Sequence, residues 1–213
     1  QKTGMVTAAV FADVNKDSWP DLVITGEWMP LKIFINKKGV FTETIIPNST
    51  GLWQSLLAAD VNGDGNMDLL AGNWGHNSKL WSGKNGPLKL YMKDFDNNGS
   101  VEQILCYTID KKEYTFLAKD ELERSLPVLK KAYLNYSDVA GKTVQYMFYD
   151  LFKGYTELTA ETLSSSCFMN DGKGQFSRTD LADAVQTAPL MCMNQGSGKE
   201  GPFFLGAGNY FGV

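Results

Sequence analysis

Asp60-Val61-Asn62-Gly63-Asp64-Gly65-Asn66-Met67-Asp68 is the stretch on which the reading of the fold turns. Its side-chain oxygens fall at positions 1, 3, 5 and 9, and a glycine holds position 6. A hard cation such as Ca²⁺ takes about six to eight oxygen ligands, and a loop wrapping one needs a sharp turn at a residue that tolerates positive φ. Asp60, Asn62, Asp64 and Asp68 would supply side-chain oxygens, and Asn66 its backbone carbonyl. The flanks are Leu56-Leu57-Ala58-Ala59 and Leu69-Leu70-Ala71-Gly72. Both read as short strands, which sets the loop apart from a helix-flanked EF-hand. The same residues also suit a turn that binds no metal.

The pattern recurs on both sides. Upstream, Asp13-Val14-Asn15-Lys16-Asp17-Ser18-Trp19-Pro20-Asp21 keeps the oxygens at the same four positions, with Ser18 in place of the glycine. Downstream, Asp94-Phe95-Asp96-Asn97-Asn98-Gly99-Ser100-Val101-Glu102 repeats them, with Asn at position 5 and Glu at position 9. Trp19 and Ser100 stand at the carbonyl position of Asn66. A second element recurs as well. Leu31-Lys32-Ile33-Phe34-Ile35-Asn36-Lys37-Lys38-Gly39-Val40-Phe41 and Ser166-Cys167-Phe168-Met169-Asn170-Asp171-Gly172-Lys173-Gly174-Gln175-Phe176 are both hairpins with an aromatic after the glycine. Strand, acidic loop, strand and hairpin make a four-stranded unit, the composition of a propeller blade. The last unit has Asn194-Gln195-Gly196-Ser197-Gly198-Lys199-Glu200-Gly201-Pro202 where a loop is expected, too poor in acid to hold a cation.

On these residues the chain resembles the FG-GAP, or VCBS, repeat family of β-propellers, found in integrin α-subunits and many secreted bacterial proteins. Gly26-Glu27-Trp28-Met29-Pro30 and Ala71-Gly72-Asn73-Trp74-Gly75-His76-Asn77 resemble motifs of the cartilage-acidic-protein-like bacterial branch. The resemblance runs over about residues 7–108 and 163–213. It implies calcium loops at Asp13/Asn15/Asp17/Asp21, Asp60/Asn62/Asp64/Asp68 and Asp94/Asp96/Asn98/Glu102.

Between about residues 110 and 160 the repeat is interrupted. Asp120 would cap a helix starting at Glu121, which Pro127 kinks or splits. Ser137 would cap a second helix running to about Phe152, with Val139, Val144, Met147, Phe148 and Leu151 as its apolar stripe and Gly154 at its end. The expected architecture is mainly β: one propeller-type domain over residues 1–213, three to four blade units, with a helical insertion. That is fewer blades than a closed propeller uses, so the rest of a longer propeller or a second copy would close it.

A net charge of −4 with 21% charged residues gives no basic footprint for nucleic acid. No apolar run is long enough to span a membrane. The start at Gln1 reads as a mature or trimmed segment. Cys106, Cys167 and Cys192 sit in apolar contexts without a CxxC spacing and read as buried free thiols, with one disulfide open if the protein is exported. His76 is the sole histidine and cannot build a histidine-rich zinc site. No nucleophile elbow, metalloprotease, P-loop or dinucleotide motif is present. Gly206-Ala207-Gly208-Asn209-Tyr210-Phe211-Gly212 has no following helix to cradle phosphate. Glu27, Trp28, Trp74 and His76 are candidates for a ligand surface, with Trp53 and Trp81 as further aromatics able to stack on sugars.

The expected function is that of a Ca²⁺-stabilised extracellular, cell-surface or periplasmic module without catalytic activity, serving adhesion or binding of a protein or glycan. The alternatives are a carbohydrate-active enzyme or its sugar-binding accessory domain, and a structural segment completing a longer propeller.

Overall fold

A computed structural model describes residues 3–80, 86–199 and 201–208. Trp81, Glu200 and residues 209–212 of the glycine pattern lie outside the described residues. The chain is mainly β and divides into two compact units, one running to Lys79 and resuming at Glu161, the other Leu80–Ala160.

The first unit opens with β1 (Met5–Ala12), β2 (Asp21–Met29), β3 (Lys32–Lys37) and β4 (Val40–Ile45), an antiparallel sheet in chain order. The short β5 (Gly51–Leu52) pairs with the far end of β2, after which β6 (Ser55–Ala59) and β7 (Asp68–Gly72) begin a second sheet. In the other unit, β8 (Leu88–Lys93), β9 (Glu102–Ile109) and β10 (Lys112–Thr115) are followed by helices α1 (Lys119–Ser125), α2 (Pro127–Ala132), α3 (Tyr136–Val139) and α4 (Val144–Phe148). There β11 (Thr156–Ala160) returns to pair with β8, giving the order β10-β9-β8-β11. The chain then adds β12 (Ser166–Asn170) and β13 (Phe176–Asp180) to β7, completing the second sheet as β6-β7-β12-β13. The last described elements are β14 (Cys192–Gly198) and β15 (Gly201–Ala207), paired as a two-stranded antiparallel sheet. The second unit thus interrupts one blade between its second and third strands. The third acidic loop, between β8 and β9, belongs with the helices.

Side-chain pattern explains the strands. Asp68-Leu69-Leu70-Ala71-Gly72 is buried at every residue because both faces of β7 are covered, so it reads as a continuous apolar run. β9 alternates, with Glu102, Ile104, Cys106 and Thr108 buried. Between the first two sheets, Val23, Leu31, Ile33, Leu69 and Phe168 form the core of the first unit. Each such aliphatic or aromatic residue contributes about 1.5–3 kcal/mol relative to exposure. Trp53 lies fully inside this core, edge-on to Phe168 at 5.7 Å, and its indole N–H donates to the Ser49 carbonyl at 2.7 Å. It is a packing residue and offers no face to a sugar.

The helices are shorter than the periodicity predicts. The first starts at Lys119 after Ala118, not at Glu121 after Asp120, and the Glu121 carboxylate closes its start by accepting from the Ala118 amide at 3.0 Å. Pro127 begins a helix of its own, the split expected of an imino acid that cannot donate within a helix. The expected 137–152 helix breaks at Ala140-Gly141, where Gly141 adopts φ +68°, and again at Tyr149, so it becomes α3, α4 and a 3-10 turn over Tyr149–Leu151. Asn135, not Ser137, precedes α3. The predicted stripe is core nonetheless: Val144, Met147 and Phe148 pack with Tyr91, Phe95, Ile104 and Leu122.

Two more expectations are corrected. Asn194–Gly198 is strand, paired with β15 so that Gly198 faces Gly201, where a loop was expected. All three cysteines are free, but Cys192 is exposed while Cys106 and Cys167 are buried.

Candidate functional site

The three acidic loops share one hydrogen-bond scheme. The position-1 carboxylate accepts from the amides of positions 5 and 6: Asp13 from Asp17 and Ser18, Asp60 from Asp64 and Gly65, Asp94 from Asn98 and Gly99, at 2.8–3.1 Å. The position-3 oxygen accepts from position 5: Asn15 from Asp17, Asn62 from Asp64, and Asp96 from Asn98, at 3.0–3.2 Å. The position-5 oxygen accepts from position 7: Asp17 from Trp19, Asp64 from Asn66, and Asn98 from Ser100, at 2.7–2.9 Å. Position 9 turns back to position 2: Asp21 accepts from Val14, Asp68 from Val61, and Glu102 from Phe95, at 2.8–3.1 Å. Its side chain is buried in every loop, while position 5 is exposed in every loop.

The backbone follows the same template. Positions 4 and 6 have positive φ throughout: Lys16 and Ser18, Gly63 and Gly65, Asn97 and Gly99. Glycine marks position 6 in two of the loops; at position 4 the same conformation is taken by Gly63 and Asn97, which favour it, and by Lys16, which does not. Gly65→Ala is expected to cost about 1 kcal/mol, because L residues are disfavoured there by about 1–2 kcal/mol. An added Cβ would meet nothing nearer than Lys16 Nζ at 3.8 Å, so the cost is conformational and not steric. Ser18→Gly should move stability the other way, and paired urea titrations of the two variants read both signs.

Beyond the loops, each of the first two position-9 aspartates is held by an asparagine of the following hairpin. The Asn36 amide donates to Asp21 Oδ1 at 2.8 Å, and its Nδ2 donates to the Pro20 carbonyl at 2.9 Å. The Asn170 amide donates to Asp68 Oδ1 at 2.8 Å, and its Nδ2 to the Met67 carbonyl at 3.0 Å and the Val14 carbonyl at 2.7 Å. Asn170 therefore ties the second loop to the first. Spacing within the loops does not single out either asparagine, although both stand at the same place in the two quoted hairpins.

The electrostatics differ from loop to loop. Burial pushes the Asp21 carboxyl up against the pull of the Asn36 and Val14 amides, and the charges of Asp17 and Asp13 push the same way. Asp64, exposed, is held low by the Asn66 amide and the Asn62 side chain, with Lys16 of the first loop adding to the effect. In the third loop one oxygen each of Asp94, Asp96 and Glu102 lies within 4.8 Å of the others, and among the described residues this is the one cluster of three acidic groups so close. An all-oxygen donor set of this kind suits a hard cation.

The candidate ligand residues lie on β2 and on the segment that follows β7. Glu27 lies within β2, paired with Met5 and Leu52 on either side, and accepts from Gln54 Nε2 at 2.9 Å. Trp28, half-buried, has φ +58°. The Asn73–Asn77 segment is a staple at the neck through which the chain leaves and re-enters the first unit. Asn73 Nδ2 donates to the Thr162 carbonyl, Gly75 N–H to Leu163, and His76 N–H to Gln186, at 2.7–3.0 Å. Gly75 has φ +74°, and a Cβ there would collide with the Gln186 carbonyl. The His76 ring, exposed, hydrogen-bonds the buried Ser164 hydroxyl at 2.8 Å. Trp74 is half-buried in the same staple.

Four-stranded antiparallel sheets with an aspartate-rich loop between their first two strands define a propeller-type repeat protein. Residues 13–71, from the first residue of the first loop into β7, match the family model described as FG-GAP-like repeat. The match reaches the repeat as such and carries nothing about the cartilage-acidic-protein-like branch. No curated protein and no solved structure matches the chain. Among the described residues, no helix is long and apolar enough to cross a membrane.

Proposed function

We propose that the chain is a Ca²⁺-stabilised binding or adhesion module of an exported protein, without catalytic activity. The observation that carries this reading is the single hydrogen-bond scheme of the three loops, together with the close approach of the Asp94, Asp96 and Glu102 oxygens in the third. Asp13, Asn15, Asp17 and Asp21 would hold the first ion, Asp60, Asn62, Asp64 and Asp68 the second, and Asp94, Asp96, Asn98 and Glu102 the third. The carbonyls of Trp19, Asn66 and Ser100 would complete each set. Supporting the fit, Asp21 is a buried carboxylate whose neighbours are other carboxylates, a place where a positive charge relieves both burial and repulsion. An ion bound between them ties the two strands that flank each loop. The partner would be a protein or glycan bound on loops that the ions stiffen.

An unfolded chain has no preformed site, so binding adds to folding stability. At a hundredfold excess over Kd one site contributes about 2.7 kcal/mol. The expected result is a rise in melting temperature of roughly 5–10 °C between chelator and millimolar Ca²⁺. Asp60→Ala with Asp64→Ala should remove the second loop's share of that increment. A melting curve indifferent to Ca²⁺ would overturn the reading.

A further inference from the structure

The helices of the second unit leave a groove between α2 and α4. It encloses about 550 Å³, with buried Leu129, Met147 and Phe148 as its floor and exposed Ala132, Tyr146 and Tyr149 on its walls. The Tyr133 hydroxyl, shared between the Tyr146 and Met147 carbonyls at 3.2 and 3.1 Å, ties the two walls together, so the groove is formed before anything enters it. Apolar surface extends along its rim: Tyr149 is 76% exposed, and Leu134, next to Tyr133 in the chain, 81%. Polar side chains in the groove are already engaged, Tyr133 as above and Asp150 with Lys153 at 2.9 Å. A sugar would find few groups to bond there. Apolar side chains spaced along a helix would find a floor and aromatic walls.

Charge decides the kind of helix. Each carboxylate between Leu117 and Phe152 has a partner within the same segment: Asp120 the Tyr136 hydroxyl, Glu121 the Ala118 amide, Glu123 Lys119, Asp138 the Asn135 amide, and Asp150 Lys153. Among the described residues, Lys130 and Lys131 meet no carboxylate, and Lys142 lies over the Tyr146 ring at 4.8 Å. With about 3.6 residues per turn, Lys130 and Lys131 fall on the two shoulders of the stripe formed by Val128, Leu129, Ala132 and Tyr133. The helix dipole accounts for cations in the last turn of α2. It does not account for Lys142, which stands between α3 and α4 and brings its charge to the opposite wall. Neither α2 nor α4 carries an acid.

We infer that the α2–α4 groove docks an acidic amphipathic helix of a protein partner, its apolar side chains on the floor and its carboxylates against Lys130, Lys131 and Lys142. Exposed tyrosines around a desolvated floor are the usual anchors of such a contact. Rim cations contribute selection and rate of encounter more than affinity. The inference goes beyond the functional reading above and does not depend on metal.

The probe is a fluorescein-labelled helical peptide of about sixteen residues, with leucine and phenylalanine at every third and fourth position and glutamate elsewhere. Its counterpart has lysine in place of each glutamate. Anisotropy against the full chain is expected to show the acidic peptide binding at least tenfold more tightly than the basic one. Amide exchange in α2 and α4 should slow at saturating acidic peptide. Lys130→Glu with Lys131→Glu should weaken binding at least tenfold, and Ala132→Trp, which fills the groove from an exposed position, should abolish it. Equal affinity for the two peptides, or an Ala132→Trp chain that binds like the parent, would overturn the inference. So would protection of α2 and α4 by vesicles of phosphatidylcholine and phosphatidylserine without peptide, which would assign the face to a membrane. Protection that grows with protein concentration alone would assign it to a second copy and overturn the inference as well.

Discussion

Asn170→Ala is expected to destabilise the first unit by about 3–4 kcal/mol, an effect far larger than a polar-to-alanine change normally brings. The side chain is 4% exposed, and its Nδ2 donates to the Val14 and Met67 carbonyls at 2.7 and 3.0 Å, while its Oδ1 accepts from Gly172 N–H at 3.0 Å. Alanine leaves those groups without their partner, and an unsatisfied buried polar group costs about 1–3 kcal/mol. For a chain of this size that corresponds to a fall of roughly 10 °C in melting temperature. Asn36→Ala is the internal comparison. Its side chain serves one loop, through Pro20 and Gly39, and is expected to cost about half as much. Equal losses from the two substitutions would show that the Val14 bond, and with it the tie between the first two loops, carries no weight. Thermal and urea unfolding of both variants decide between these outcomes.

Asn170 also marks the limit of what the sequence disclosed. The acidic positions were legible because few structures besides a cation loop demand oxygen side chains at fixed spacing around a turn, and the flanking apolar runs identified strands. The two hairpins were legible for the same local reason, since alternation and turn chemistry act within a dozen residues. The role of Asn36 and Asn170 was not, because their partners are decided by register: Asn170 reaches Val14 only after β12 has paired with β7. The interrupted blade escaped for a related cause. The helices announced themselves by periodicity. By contrast, the return of β11 to β8, which closes the second unit over Leu80–Ala160, is a long-range pairing with no local mark. Trp53 was misjudged as a surface aromatic because a tryptophan between two short strands looks the same in sequence whichever way it points. Helix lengths failed at Gly141 and Tyr149, where backbone with positive φ ends a helix that side-chain spacing alone would continue.

Glu113→Ala is expected to cost the second unit about 3 kcal/mol, although nothing in the sequence sets that glutamate apart. It gathers three groups from two elements: Lys89 of β8 pairs with it at 2.8 Å, the Tyr91 hydroxyl of the same strand donates to it at 2.6 Å, and Gln145 of α4 donates at 2.5 Å. Lys89 is shared with Glu157 of β11 at 2.9 Å. Removing one member of such a pair strands the others, at about 3–5 kcal/mol when fully buried, and the upper part of that range is excluded here by the partial exposure of the ion pair. The stranded group that matters most is the Tyr91 hydroxyl, on a side chain 1% exposed and packed edge-on between Phe152 and Tyr155. Burial alone would raise the Glu113 carboxyl, but the bonds from Lys89 and Tyr91 outweigh it and hold the group below its ordinary 4.5. The folded state thus binds the proton more weakly than the unfolded state. The stabilisation is fully present above pH 4.5 and is lost as pH falls through the lower folded value. Lys89 has the opposite sense: its ammonium is held above its ordinary 10.5 by Glu113 and Glu157 despite burial, so its contribution is complete below 10.5 and fades as pH rises further. Glu113→Gln keeps an acceptor for Tyr91 while removing the charge. It is expected to lose less stability than Glu113→Ala at neutral pH and to flatten the acid limb of the stability profile. Amide exchange in β8, β9 and β10 across pH 3–8 reads this directly. An acid limb of the same slope in Glu113→Gln and the parent chain would show that the network's charge plays no part in holding the sheet to α4.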